Sequence, residues 1–304
     1  MFTRFLFLFL ILSQLAFAQS KLSENELAYF KKNETELLQL SKKILNETKE
    51  ADRITANVAF TSLLQTTLEQ PSALHYAFDS LTTISILNSH DKKVKIFNWE
   101  LKHNNNNYEY FGCILYTPKP NENTLLIWLN DKSAELKRPE NASLTNENWY
   151  GAHYYKLVEN KTKKKTYYYL LGLDWNNSLS RKKIIDVLYF TKDKQVRFGE
   201  NLFKVKNQSY RRYIMEYSAE ISASLKFHEK ENAFVMDNLV PKNENLKGQY
   251  QFYGPDMTYN AFILKKGKLT FKEDYDARNA KSTNDKLYND PTKNTVNPTD
   301  LQKK

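Results

Sequence analysis

Four acids in this 304-residue chain stand where general acid/base chemistry could use them. Glu216 and Glu220 share the polar side of the alternating stretch Tyr213–Phe227. Asp237 follows the apolar triplet Phe234-Val235-Met236, and Asp256 sits in the turn Gly254-Pro255-Asp256. If the chain turns between Glu229 and Asn232, Asp237 falls opposite Ser224 and near Glu220. Two carboxyls facing each other across a cleft can hydrolyse a glycosidic bond, one donating a proton with its pKa raised by desolvation. The ordinary structural use stands beside this one. Strand-end and turn Asp residues accept backbone N–H groups, and face-side Glu residues meet neighbours such as Arg211; Asp174 and Asp186, set in apolar strands, share both readings. Trp149 with Tyr150, Trp175, and Tyr253 in the run Tyr250–Tyr253 are candidate stacking platforms for sugar rings. Alternating aromatics also fill the core of any antiparallel sheet.

Other chemistries lack their residues. Phosphate-cradling loops need glycines in series, and only seven glycines are scattered through the chain. Five histidines show no metal-ligand spacing, and His228-Glu229 opens like a zinc-protease helix but meets Asn232 where the second His belongs. G-x-S-x-G does not occur. Cys113 is the single cysteine, flanked by Phe111, Ile114 and Leu115, and reads as a small core residue. With one cysteine, no disulfide can form within the chain. The expectation is a protein without cofactor or metal, non-catalytic, with glycan hydrolysis by paired carboxylates as the alternative.

The formal net charge is +10, and 37 of the 45 basic residues are Lys. Readers of base edges and phosphates favour the bidentate fork of Arg, so nucleic acid is not the expected partner. Lysines among many asparagines make a solvated surface; the local runs Lys161–Lys165 and Arg181–Lys183 suit an anionic polysaccharide, and an envelope protein is the other expected partner.

These residues need elements to hold them. Ser23 and Glu26 form a capping-box pair ahead of Phe30, Leu37 and Ile44, which predicts a helix over about 24–47. A second is predicted after Asp52, with Ile54, Val58, Thr61, Leu64 and Leu68 on one side and Pro71 ending it. From Lys93 the apolar period changes to two. Strands are expected over 93–101, 108–116, 124–129, 154–158, 166–173, 183–190, 196–203, 259–264 and 268–272, the last pair joined at Lys266-Gly267. Tyr213–Phe227 alternates for fifteen residues, about 50 Å at ~3.3 Å per residue, and must twist, bend at a bulge or pass between sheet regions. The fold class is α+β: a helical segment 19–82 packed on an antiparallel β domain 83–275 (a meander, sandwich or irregular barrel), then a tail 276–304 too polar to fold.

The first residues read differently. Arg4, the apolar run Phe5–Leu12 and the small-x-small end Ala16-Phe17-Ala18 have the layout of a secretory signal peptide over 1–18, cut between Ala18 and Gln19. Phe5–Ala18 is shorter than the ~20 apolar residues of a membrane span. No transmembrane span is expected in the mature chain, and with Gln19 after the cut no lipid anchor either. The segments YLLGLDW, KKIIDVLYF, RRYIMEYSAEISASLKF, AFVMDNLVP and QYQFYGPDMTYNAF, between Thr166 and Asp276, resemble a family of exported proteins from Gram-negative bacteria of the Bacteroidota type. The resemblance implies export to the periplasm or beyond and carries no activity, cofactor or catalytic residue.

Overall fold

The computed structural model describes residues 22–119 and 122–277. The expected signal peptide with its cut at Ala18–Gln19, and the tail beyond Ala277, lie outside them. Helix α1 spans Glu24–Asn46, and its start is the expected capping box: the Glu26 N–H donates to Ser23 Oγ at 3.3 Å, and the Ser23 N–H donates back to Glu26 Oε2 at 2.8 Å. Helix α2 spans Glu50–Leu68. Of its expected side Leu64 and Leu68 are buried, but the first half is turned, for Ile54 and Val58 are exposed while Arg53, Ala56, Asn57 and Phe60 are covered. Polar partners decide this. Trp99 Nε1 donates to Asn57 Oδ1 at 2.7 Å, and Arg53 donates to the carbonyls of Lys102, Glu47 and Thr48, so these two polar side chains keep their hydrogen bonds when buried.

Most of the remaining regular structure is strand, joined by loops and short 3-10 turns, and every strand pair is antiparallel. A first sheet runs β1 (Ser85–Asn88), β2 (Val94–Lys102), β3 (Tyr108–Tyr116) and β4 (Leu125–Leu129) in spatial order. A second holds β5 (His153–Lys161), β6 (Thr166–Asp174), β7 (Ser180–Phe190) and the short β8 (Val196–Phe198). After a small ribbon of β9 (Phe203–Val205) and β10 (Gln208–Tyr210), β11 (Tyr213–Ser218) returns to pair with β7. A third sheet, β12 (Leu225–His228), β13 (Ala233–Pro241), β14 (Tyr253–Lys265) and β15 (Lys268–Lys272), completes the chain.

Three cores make four layers of these elements. Helix residues Phe30, Leu37, Phe60 and Leu64 pack with Phe97, Trp99, Cys113 and Leu115 on one face of the first sheet. Val94, Ile96 and Ile114 on its other face meet Trp149, Tyr154, Leu170, Ile184 and Leu188 of the second sheet region. The far face of the second sheet, with Tyr169, Leu171, Ile185 and Val187, meets Phe203, Phe234, Met236 and Phe262. Strands β2, β6 and β7 are therefore covered on both sides, which is why IIDVL and YYYLLGL read as nearly unbroken apolar runs rather than alternations. Each fully buried aromatic or aliphatic side chain contributes on the order of 1.5–3 kcal/mol.

Two expected strands break, and β1, β10 and the nine-residue β13 were not among the strands expected. The fifteen-residue alternation is not one strand: it leaves the second sheet at Ser218, turns through 219–224 and enters the third sheet at Leu225. The stretch 196–203 divides at Gly199, whose φ of +81° suits glycine; a Cβ there would lie 2.7 Å from the Ala142 carbonyl oxygen. Strands β1 and β10, short and partly polar, carry no sequence period long enough to read.

A charged pair lies in the second core. Asp186 and Arg212 are both completely buried, with Arg212 Nε 3.2 Å from Asp186 Oδ1. The Nε–H is not aimed at that oxygen, so the contact is Coulombic rather than a hydrogen bond, and Nε and Nη2 have no hydrogen-bond partner among the described residues. Arg212 Nη1 donates to the carbonyls of Pro139 and Ala142. Asp186 accepts from the Val187 N–H at 2.8 Å and from the Tyr154 hydroxyl at 3.3 Å.

Candidate functional site

Three hairpin turns meet at one end of the first two sheets, and each brings lysine with it. In the β5–β6 turn, Thr162 Oγ1 accepts from the N–H groups of Lys164 and Lys165 and donates to the Lys165 carbonyl, which fixes the lysine-rich loop. In the β7–β8 turn, Thr191 Oγ1 accepts the Gln195 N–H, and Lys194 takes a positive φ. In the β1–β2 turn, Asp91 Oδ1 accepts from Ser89 Oγ and the Lys93 N–H. Between them lies a groove of about 460 Å³, lined by Lys93, Lys164, Lys165 and Lys192 around Tyr116, Tyr168, Tyr189 and Phe190.

The floor is aromatic. Tyr116 and Phe190 stack with ring centroids 3.5 Å apart and planes 8° apart, and the Tyr168 ring meets Phe190 edge-on at 6.3 Å. The Tyr168 hydroxyl donates to Asp91 Oδ2 at 2.9 Å; burial first, and that carboxylate second, push the phenol's pKa well up, so it stays a neutral donor. Lys165 is committed: its Nζ lies 2.6 Å from Glu200 Oε2 and 3.7 Å over the Tyr189 ring. The ammonium groups of Lys93, Lys164 and Lys192 have no carboxylate partner among the described residues, and Lys164 and Lys192 are exposed. Three cations without an ion-pair partner among the described residues therefore ring an aromatic floor, with the carboxylates of Asp91, Glu122 and Glu159 within electrostatic reach of its tyrosines. Sequence showed the Lys161–Lys165 run but not its companions, because Lys93 and Lys192 reach it only through the stacking of two sheets.

The four acids are divided between two sheets and a turn. Glu216 lies on β11 and lines a separate cleft of about 610 Å³ with Glu140, Lys137, Lys182, Tyr210 and Tyr250. Its Oε1 accepts from Ser180 Oγ at 2.5 Å and Asn176 Nδ2 at 3.3 Å. Glu220 is exposed in the 219–224 turn. Asp237 lies opposite Ser224, as its spacing suggested, and its Oδ2 accepts the Ser224 N–H at 2.7 Å. Asp256, expected in a turn, is exposed on strand β14; desolvation, the largest single influence, raises its pKa, but hydrogen bonds from Thr258 and Asn238 together outweigh it and hold the pKa below the usual value. Glu140 was not singled out by sequence, since nothing local distinguishes a Glu in Arg-Pro-Glu-Asn.

The aromatic candidates also separate. Trp149 is fully buried and donates to the Tyr154 hydroxyl at 3.0 Å; Tyr150 is buried and donates to Asp174 Oδ2 at 2.7 Å. Neither presents a ring face to solvent. Trp175 is half-buried, stacked on Tyr108 at 5.5 Å with the Arg181 guanidinium 5.0 Å from its ring, and Tyr253 is half-buried with its hydroxyl accepting the Gly248 N–H. Among the described residues no group of three His, Cys, Asp or Glu side chains converges as a metal centre, and no helix is long and apolar enough to cross a membrane. Comparison with protein-family models, with curated proteins and with solved structures finds no match.

Proposed function

We propose that this is an exported, non-catalytic protein that binds an anionic polymer, an acidic polysaccharide, in the lysine-rimmed groove. The signal-peptide layout of residues 1–18 and the resemblance of the 166–276 segments to exported proteins support the destination. One observation carries the ligand: Lys93, Lys164 and Lys192, each without an acid partner, surround the Tyr116–Phe190 stack. Ammonium groups answer carboxylate or sulfate substituents as point charges, and the aromatic floor suits the apolar face of a sugar ring.

Binding of the mature chain to polygalacturonate and to neutral dextran tests this by calorimetry at two salt concentrations. The acidic polymer is expected to bind and dextran not. The triple variant Lys93→Glu, Lys164→Glu, Lys192→Glu is expected to weaken binding roughly 10- to 30-fold, about 1.4–2 kcal/mol, and added salt to act in the same direction. Equal affinity for dextran, or an unaffected triple variant, removes the reading.

A second reading, glycosidic hydrolysis in the other cleft, is favoured by one observation. Burial raises the Tyr250 pKa, with the charges of Glu216 and Glu140 adding to it, so both carboxylates lie within electrostatic reach of one hydroxyl that lines the cleft. On this reading the wild-type chain releases reducing ends from an envelope glycan and Glu216→Gln does not. Absence of release in both leaves binding alone.

A further inference from the structure

We propose that the lysine-rimmed groove is one end of a longer track whose other end is the β14–β15 turn, so that the protein grips long anionic sugar chains in preference to short oligomers of the same sugar. The inference rests on the polymer reading above and extends that site from two sheets to three. The second set of lysines comes from a local rule. Lys266 and Gly267 take φ of +52° and +76°, the positive values that both central residues of a type I′ turn need. Such a turn sets Lys265 directly across from Lys268. Like charges placed opposite one another destabilise a ladder, and Lys266 adds a third at the tip. All three side chains are exposed, and none has a carboxylate partner among the described residues. An anionic chain lying across the tip relieves this repulsion.

Tertiary packing brings this tip to the groove. A Cβ on Gly267 would lie 3.1 Å from Thr162 Cγ2, so the β14–β15 and β5–β6 turns touch. Thr162 is the residue whose hydroxyl holds the β5–β6 turn, and that turn carries Lys164 into the groove. Lys161 and Lys163 are exposed on the same turn. The basic surface therefore passes from the β1–β2 and β7–β8 turns, through the β5–β6 turn, to the β14–β15 turn. These turns belong to three sheets in successive layers. At ~10 Å per layer the track crosses on the order of 20 Å, a span for several sugar units in a row.

The neighbouring acids are set against this surface, and most are engaged. Glu159 accepts the Asp91 N–H at 2.7 Å, Glu200 holds Lys165 at 2.6 Å, and Glu229 holds Lys156 at 2.8 Å. Glu231 lies 3.9 Å from His228, and Asp193 stands between Lys192 and Lys194 in the β7–β8 turn. No acid occurs within 161–166 or 265–270. Every charged residue of the two turns that touch is therefore a lysine. A polymer with a carboxylate on each sugar answers such a row along its length, whereas a short oligomer is spent on the groove.

Calorimetry of the mature chain with trigalacturonate and with an oligogalacturonate of about ten units separates the track from the groove. The variant Lys265→Gln, Lys266→Gln, Lys268→Gln is expected to bind the longer oligomer roughly 5- to 10-fold more weakly than wild type, and the trimer within about twofold of it. Comparing two proteins on one ligand cancels the extra registers open to a longer chain. The variant's thermal midpoint is expected to equal or exceed that of wild type, because the opposed lysines are gone. Lys266→Gln alone, outside the ladder, is expected to act in the same direction by less. The groove variant Lys93→Glu, Lys164→Glu, Lys192→Glu is expected to lose both oligomers. A Gln variant that holds the longer oligomer as tightly as wild type, or that loses the trimer equally, overturns the track, while losses in the groove variant keep the groove. Failure of the wild type to bind either oligomer removes the groove reading and the track with it.

Discussion

Asp186→Ala is expected to cost about 3–5 kcal/mol of folding stability, whereas Asp186→Leu made together with Arg212→Met is expected to cost clearly less than the two single changes added. The asymmetry follows from where the pair sits. Both side chains are wholly excluded from solvent between the first and second sheets, and the Coulombic contact at 3.2 Å is what offsets the desolvation of each. Removing Asp186 leaves a buried guanidinium with no counter-charge. Removing both charges and filling the volume takes away the attraction and the desolvation penalty together, leaving mainly the lost hydrogen bonds to Pro139 and Ala142. Guanidinium denaturation of the wild type, Asp186→Leu, Arg212→Met and the double variant, read as midpoints at constant slope, gives the cycle, with Asp186→Ala measured beside them. A loss under about 1 kcal/mol for Asp186→Ala, or strict additivity, would show that the two charges do not depend on each other.

Asp186 also marks the boundary of what sequence could tell. An acid inside Ile184-Ile185-Asp186-Val187-Leu188 reads as chemistry or as a partnered core charge, and only tertiary structure supplies Arg212, 26 positions on, as its partner. Local rules worked where the cause is local. The capping box starts α1, the Lys266-Gly267 turn joins β14 to β15, and β3 and β15 begin and end at the expected residues. They failed where distant partners decide. The face of α2 turned toward Asn57 and Arg53 because Trp99 and the Lys102 carbonyl were waiting for them, and no helical period contains that information. The long alternation Tyr213–Phe227 is real as a pattern, yet it serves two sheets in succession, since Met215 and Leu225 bury in the same core from different layers. The groove was half visible for the same reason: one lysine run was local, while Lys93 lies 71 positions before Lys164 and Lys192 lies 28 positions after it, each in a different turn.

The second large effect concerns Lys95. Its side chain points from β2 toward the helices, is buried, and donates to the carbonyls of Tyr76 and Ala73, with its Nζ 5.5 Å from the Phe78 ring. Desolvation lowers its pKa from 10.5 to about 8, opposed only in part by the charge of Asp79. Below pH 8 the folded and unfolded chains both hold the proton, and the cost of burying the ammonium is constant. Between about 8 and 10.5 the unfolded chain binds more protons than the folded one, so this residue's contribution rises with pH, by on the order of 3 kcal/mol over the whole window. Tyrosines with raised pKa values, such as Tyr155 and Tyr213, act oppositely above pH 10, because the unfolded chain then loses phenol protons that the folded chain keeps. Wild-type stability alone therefore mixes the two. The difference between wild type and Lys95→Met cancels the tyrosines. Measured by urea denaturation between pH 7.5 and 9.5, it is expected to shift steadily in favour of the wild type as pH rises. A flat difference would mean that Lys95 keeps its proton at its ordinary pKa inside the core, and that the carbonyls of Ala73 and Tyr76 solvate the ammonium as well as water does.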